Sequence, residues 1–212
     1  LCPYLCEVLF FKPNLTIMQS FAKIIGLLSL ALCLGQTVQA QKKVITFRVE
    51  KVIPHPAEKV WAVVGEDYGA IANSHPKIIA SDYVSGTLQA GEGAERVCYF
   101  NEKGSQFLKE KMTNYNPREM TFVNKVYQAG RFPVNPDYTQ AVYRVERIDA
   151  NTSRFIFDMQ YRTKPALMGA MMMGQYRQLI DDYAVDIEHY ISTGEQVTKK
   201  NFKTIRKLYA AN

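Results

Sequence analysis

Apolar and polar positions alternate through the middle of the chain and recur at three- and four-residue steps near its end. Strand-like segments are predicted at 42–52, 78–85, 94–101, 106–116, 119–128, 138–148 and 153–163, each rich in β-branched or aromatic residues. Turn chemistry separates them: Gly91-Glu92-Gly93, Glu102-Lys103-Gly104, Asn116-Pro117, Gly130 to Pro136 and Asp149-Ala150-Asn151. Links this short predict antiparallel hairpins. Between the first two strands, Pro54-His55-Pro56 precedes a short helix at Ala57 to Gly65, with Val60, Trp61 and Val64 on one side. Residues 67–74 add a further turn or two. After Pro165 the period becomes helical to about Ser192. Met168, Met172, Tyr176, Leu179, Tyr183, Ile187 and Tyr190 form a stripe that Ile180, Ala184 and Ile191 widen. A helix of about 28 residues is roughly 42 Å long, enough to lie along a whole curved sheet.

These elements predict an α+β fold: a seven-stranded curved antiparallel sheet wrapped around a long C-terminal helix, with two short helices after strand 1. Such a sheet buries its concave face against the helix and need not fill the space between them.

The 212 residues are 47% hydrophobic and 22% charged, an ordinary globular mixture, and four Cys are too few for a disulfide scaffold. Residues 1–17 lack an initiating Met and join no pattern, so Met18 is the expected start. From there Lys23, an apolar run Ile24 to Gly35 and Val38-Gln39-Ala40 read as a signal peptide over 18–40. A lipoprotein with Cys33 as the lipidated residue is disfavoured by Leu32, where a small residue is required. Cleavage near Ala40 predicts a secreted or periplasmic protein with Cys98 as its one thiol, hence no internal disulfide. The domain is expected over 41–194, followed by a basic tail at 195–212. The excess of 26 Lys+Arg over 20 Asp+Glu resides largely in that tail, where Lys199, Lys200, Lys203, Arg206 and Lys207 face Glu195 alone. A near-neutral domain body argues against nucleic acid as a partner. The tail has Phe202, Ile205 and Tyr209 at helical spacing. It reads as a solvated helix packing loosely on the domain or, on a weaker reading, as a peripheral contact with anionic lipid.

Several motifs carry a resemblance. Ile53-Pro54-His55-Pro56-Ala57-Glu58-Lys59-Val60-Trp61 is similar to the strand-then-helix entry of the START-related helix-grip superfamily of polyketide cyclases/dehydrases and lipid-transport domains. Ile71 to Ile78 resembles that superfamily's Pro-containing turn, although Ser74 stands where many relatives carry a bulky residue. Gly93-Ala94-Glu95-Arg96, Leu108 to Met112 and Phe132-Pro133 to Tyr138 follow at similar spacing. The resemblance spans about 45–194 and implies a ligand cavity more firmly than any single activity.

Strand alternation then nominates the residues facing that cavity. In 106–116, Leu108, Glu110, Met112 and Asn114 share the inner face, with Lys109, Lys111 and Thr113 outside. In 94–101, Arg96, Cys98 and Phe100 share a face, which puts Arg96 within reach of Glu110. Met120, Phe122, Asn124, Phe155, Phe157, Met159 and Tyr161 extend the interior. Met168, Met172 and Tyr176 come from the helix, and Tyr138 and His75 are expected at the mouth, which the 130–136 loop and the 74–77 turn guard. Plainer readings stand beside these: the Met-rich turn as core filling, Cys98 as core, Arg96 with Glu110 as a structural pair, and His75 as a turn residue. No HExxH, CxxC or Gly-x-Ser-x-Gly pattern is present, so no metal, cofactor or confident catalytic residue is expected. The expectation is a binding protein or carrier for a hydrophobic or amphipathic small molecule, lipid-like or aromatic. The alternatives are a cyclase- or hydratase-like enzyme using the same cavity and a solid interaction domain. The oligomeric state stays open.

Overall fold

The computed structural model describes residues 44–84 and 86–210; the upstream segment 1–17 and the expected signal peptide at 18–40 lie outside the described residues. Strand β1 (Ile45–Ile53) buries Phe47, Val49 and Ile53 and turns Arg48 and Glu50 outward, as a half-buried strand should. Pro54 ends it. Helix α1 (Ala57–Trp61) then widens without a break into a π-helical turn, Ala62–Glu66, closed by Asp67 N–H on the Ala62 carbonyl at 2.9 Å. Sequence periodicity predicts an ordinary helix there. The wider turn coincides with Gly65 lying under the Trp61 ring, where an added Cβ would come within 2.7 Å. A 3₁₀ segment, Tyr68–Asn73, completes the crossover.

The remaining strands are β2 (Ala80–Tyr83), β3 (Glu95–Tyr99), β4 (Phe107–Asn116), β5 (Thr121–Ala129), β6 (Gln140–Arg147) and β7 (Ser153–Tyr161). Sequential hairpins put neighbours side by side, and β1 closes against β7, giving one seven-stranded antiparallel sheet in the order β1-β7-β6-β5-β4-β3-β2. Inner and outer positions alternate along β4 only as far as Met112. Asn114, expected inside, is exposed: it adopts φ 53° where the β4–β5 register slips between Thr113 and Asn116, and the slip turns its side chain out.

Helix α2 (Met168–Thr193) lies against the sheet through a seam of Gly169, Tyr176, Ile180, Tyr183 and Ile187. It stops at Gly194, whose φ of 71° is open to glycine at little cost and lets its N–H cap the Tyr190 carbonyl at 2.8 Å. This is the helix-grip arrangement. The tail is packed more firmly than its charge implies. Helix α3 (Phe202–Ala210) buries Phe202 and Ile205 with Val197 in a small cluster against Val185. The Val197 N–H donates to the Asn73 carbonyl at 2.9 Å, and Lys199 Nζ donates to the Phe100 carbonyl at 2.9 Å.

Two carboxylates stand one turn apart on α2 near this junction. Asp182 accepts from Gln178 at 2.9 Å and pairs with Arg206 Nε at 3.3 Å. Asp186 is 1% exposed, and its Oδ2 has no partner among the described residues. Burial first, then the Asp182 charge, pushes its pKa up to about 8. The folded chain therefore keeps a proton that the unfolded chain releases, and this contribution to stability drains away as pH rises from about 4 to about 8. Urea denaturation of Asp186→Asn is expected to show a gain over the parent that is small near pH 4. It should grow to about 1–3 kcal/mol near pH 8. A gain that shrinks with rising pH contradicts this account.

Candidate functional site

Sheet and α2 do not close completely on each other. Between them lies a cavity of about 100 Å³, walled on the sheet side by Phe47, Leu108, Val126, Ala141, Tyr143 and Phe157 and on the helix side by Tyr176, Leu179, Ile180 and Tyr183. Phe132 and Val134 reach it from the loop after β5; Phe132 packs on Phe100 with ring centroids 4.6 Å apart. A water needs roughly 10–15 Å³ and a drug-sized ligand about 300 Å³ or more, so the space is genuine but small as it stands.

One end is polar. Register places Arg96 directly opposite Glu110, and Arg96 Nε donates to Glu110 Oε2 at 2.7 Å. The guanidinium also donates from Nη1 to the Tyr68 carbonyl at 2.8 Å and lies 4.0 Å from the centre of the Tyr68 ring. Burial disfavours the Arg96 charge, but the Glu110 carboxylate more than offsets this and holds its pKa above the ordinary value. The Cys98 thiol reaches the same Oε2 at 3.6 Å, and burial pushes its pKa up. Tyr68 in turn donates to Asn124 at 2.6 Å.

His75 lines the cavity from the turn after the 3₁₀ segment. Its Nδ1 accepts from the N–H groups of Lys77 and Ile78 at 3.2 and 3.3 Å, so in the neutral ring the proton sits on Nε2. Burial, then the Arg96 charge, pushes its pKa down to about 3. Across the cavity, the Tyr176 hydroxyl is buried with no partner among the described residues, and burial pushes its pKa up to about 12. Its ring stands edge-on to Tyr161 at 4.9 Å.

Residues 44–187 match the polyketide cyclase/dehydrase and lipid transport family. The chain belongs to that family. No curated protein is significantly similar to it in sequence. Solved structures share the family fold at low identity. A Thermobifida fusca protein aligns at TM-score 0.56 and 21% identity over 72% of this chain and 96% of that one. Ara h 8.0201 aligns at 0.56 and 20% over 71% and 99%. Norcoclaurine synthase from Thalictrum flavum, solved in complex with dopamine and hydroxybenzaldehyde, aligns at 0.51 and 12% over 72% and 89%. Family and fold together point to a hydrophobic ligand-binding or cyclase-like domain.

Within this family fold, His75, Arg96, Leu108, Glu110, Phe157, Met159 and Tyr176 line the cavity together. Six other nominated residues do not. Cys98, Met112 and Phe122 face inward but are sealed in the filled half of the interior, where Phe122 meets Trp61, Tyr68 and Tyr143. Tyr138 is 38% exposed on a short 3₁₀ turn, Pro136–Tyr138, and its ring carries the Arg162 guanidinium at 4.6 Å instead of meeting His75. Met168 and Met172 lie off the seam, because Gly169 takes the contact in the first turn: a Cβ there would approach Ile45 Cδ1 to 2.7 Å. His75 is buried, not at a rim. Tyr68, the hub of the polar end, escaped sequence reading, because its role uses a carbonyl and a ring face. Ser74 is 1% exposed, and its side chain bonds that of Tyr183.

Removing one member of the Arg96–Glu110 pair strands the other as a buried charge. Glu110→Gln is expected to lower stability by about 3–5 kcal/mol in urea denaturation. Replacing both together, Arg96→Met with Glu110→Leu, should recover most of that loss. A near-neutral Glu110→Gln means that solvent already reaches the guanidinium.

Proposed function

We propose that this domain binds a hydrophobic or amphipathic small molecule, lipid-like or aromatic, between the sheet and α2. The observation that carries the reading is the Tyr176 hydroxyl, buried and without a partner among the described residues on the cavity wall. A stranded hydroxyl costs stability unless a bound group satisfies it. Apolar walls would desolvate the ligand body. Hiding roughly 300 Å² of apolar ligand surface contributes about 7 kcal/mol before ordering costs. Tyr176, His75 and the Arg96–Glu110 end would orient its polar group. A ligand of that size requires α2 or the 130–136 loop to yield, and the Met and aromatic side chains nearby can repack.

Binding is preferred to turnover for a physical reason. His75 titrates near 3 and Tyr176 near 12, both far from neutrality, and Arg96 is committed to Glu110. A general acid or base works best with a pKa near the operating pH. We place the carrier outside the cytoplasm, with residues 18–40 as the removed leader and Gln41 as the first mature residue.

Native mass spectrometry of protein recovered from its own export compartment is expected to show a recurrent apolar adduct. Tyr176→Phe should weaken adduct retention by roughly fivefold to tenfold, the worth of one hydrogen bond, without loss of stability. Ile180→Trp should abolish retention by filling the space. If the protein chemically alters a candidate pool and retains nothing from it, the enzyme reading replaces this one.

A further inference from the structure

The N-cap and first turn of α2 expose what a helix ordinarily hides. Leu167 is 84% and Met171 79% exposed, with Met168 beside them at 37%. Positions 167 and 171 are one helical turn apart and 168 and 171 nearly so, which makes one contiguous apolar face. Gly169 turns the opposite way, onto Ile45. No described helix is long and apolar enough to cross a membrane, so this face is not part of a span.

The ground around it is cationic. From Met159 to Ile180 the chain carries Arg162, Lys164 and Arg177 and no acidic residue. The neighbouring loop is tied to this segment by backbone bonds, Asn135 N–H to the Arg162 carbonyl at 2.7 Å and Lys164 N–H to the Pro133 carbonyl at 3.2 Å. That loop adds Arg131, with Asp137 as its sole acid. Arg131, Arg162 and Lys164 form no ion pair among the described residues. Half-exposed Tyr138 sits under Arg162. Exposed Leu and Met on a segment whose only charges are arginine and lysine, with Tyr138 held under one of those arginines, match the interface between lipid headgroups and acyl chains.

We propose that this face docks the domain on the surface of an anionic lipid bilayer, Leu167 and Met171 entering the acyl boundary while Arg131, Arg162, Lys164 and Arg177 meet headgroup phosphates. A second copy of the chain is a poorer occupant: a two-fold contact sets these cations against themselves. The basic tail is also poorer, because Phe202 and Ile205 are already buried within the domain. The inference concerns the outer surface and stands even if the cavity holds nothing. The two meet in one helix, since Tyr176 on the cavity wall lies just over one turn beyond Met171.

Vesicle co-sedimentation of the mature chain tests it. The protein is expected to leave pure phosphatidylcholine vesicles unbound and to partition onto vesicles that are about one-third phosphatidylglycerol. Binding should weaken between roughly 0.05 and 0.5 M salt. Leu167→Glu with Met171→Glu, both at exposed positions, should keep the circular dichroism and melting curve and lower partitioning by roughly tenfold or more. Lys203→Gln with Lys207→Gln on α3 should cost less than that. Absence of partitioning onto anionic vesicles overturns the proposal. So does a tail variant that loses more than the Leu167/Met171 variant, or a dimer in sedimentation velocity that depends on Met171 and takes up no lipid.

Discussion

A guanidinium withdrawn from water must find compensation from every side, and Arg96 organises the centre of this domain by that demand. With 2% of its side chain exposed, it draws Glu110 from the adjacent strand, the Tyr68 carbonyl from the crossover, and the face of the Tyr68 ring. Glu110 and Tyr68 belong to different elements, a strand and the crossover. The charge therefore fixes the short helices over the β3–β4 hairpin and, by its field, helps keep His75 neutral. An apolar residue would pack there with less desolvation cost but would impose no such geometry.

The interior divides around this centre. Under the short helices, Trp61, Tyr68, Phe122 and Tyr143 interlock through edge and stacked ring contacts. Under α2 the cavity remains. The crossover sends the Trp61 and Tyr68 rings onto Phe122 of the sheet, whereas α2 presents Tyr176, Leu179 and Ile180 to the cavity.

Much of this was legible beforehand. Strand count, hairpin order, the long helix and the Arg96–Glu110 encounter all follow from period-two alternation read through short turns, because register transmits parity from one strand to the next. The failures are equally physical. Asn114 lies past a bulge, which parity cannot anticipate. Met168 and Met172 fit a helical stripe on paper, but a stripe drawn with both three- and four-residue steps is wide, and only packing on Ile45 shows that Gly169 occupies its centre. Cys98, Met112 and Phe122 face inward as expected, yet alternation tells inside from outside, not filled from hollow. The width of the turn after Trp61 had no sequence signal beyond Gly65.

The two neighbouring strands at one end of the sheet, β1 and β7, are written far apart in the chain. β2 through β7 are joined by local hairpins, but β1 pairs with β7 along its full length, Ile45 opposite Tyr161 and Ile53 opposite Ser153. Closing so large a loop carries an entropic cost that nearby contacts do not share. Among the described strands the first in sequence thus takes the last as its partner, and without it β7 presents a bare edge. Arg48, Glu50 and Lys51, spaced along β1, make that partner a charged one, so a stray apolar strand is a poor substitute for it.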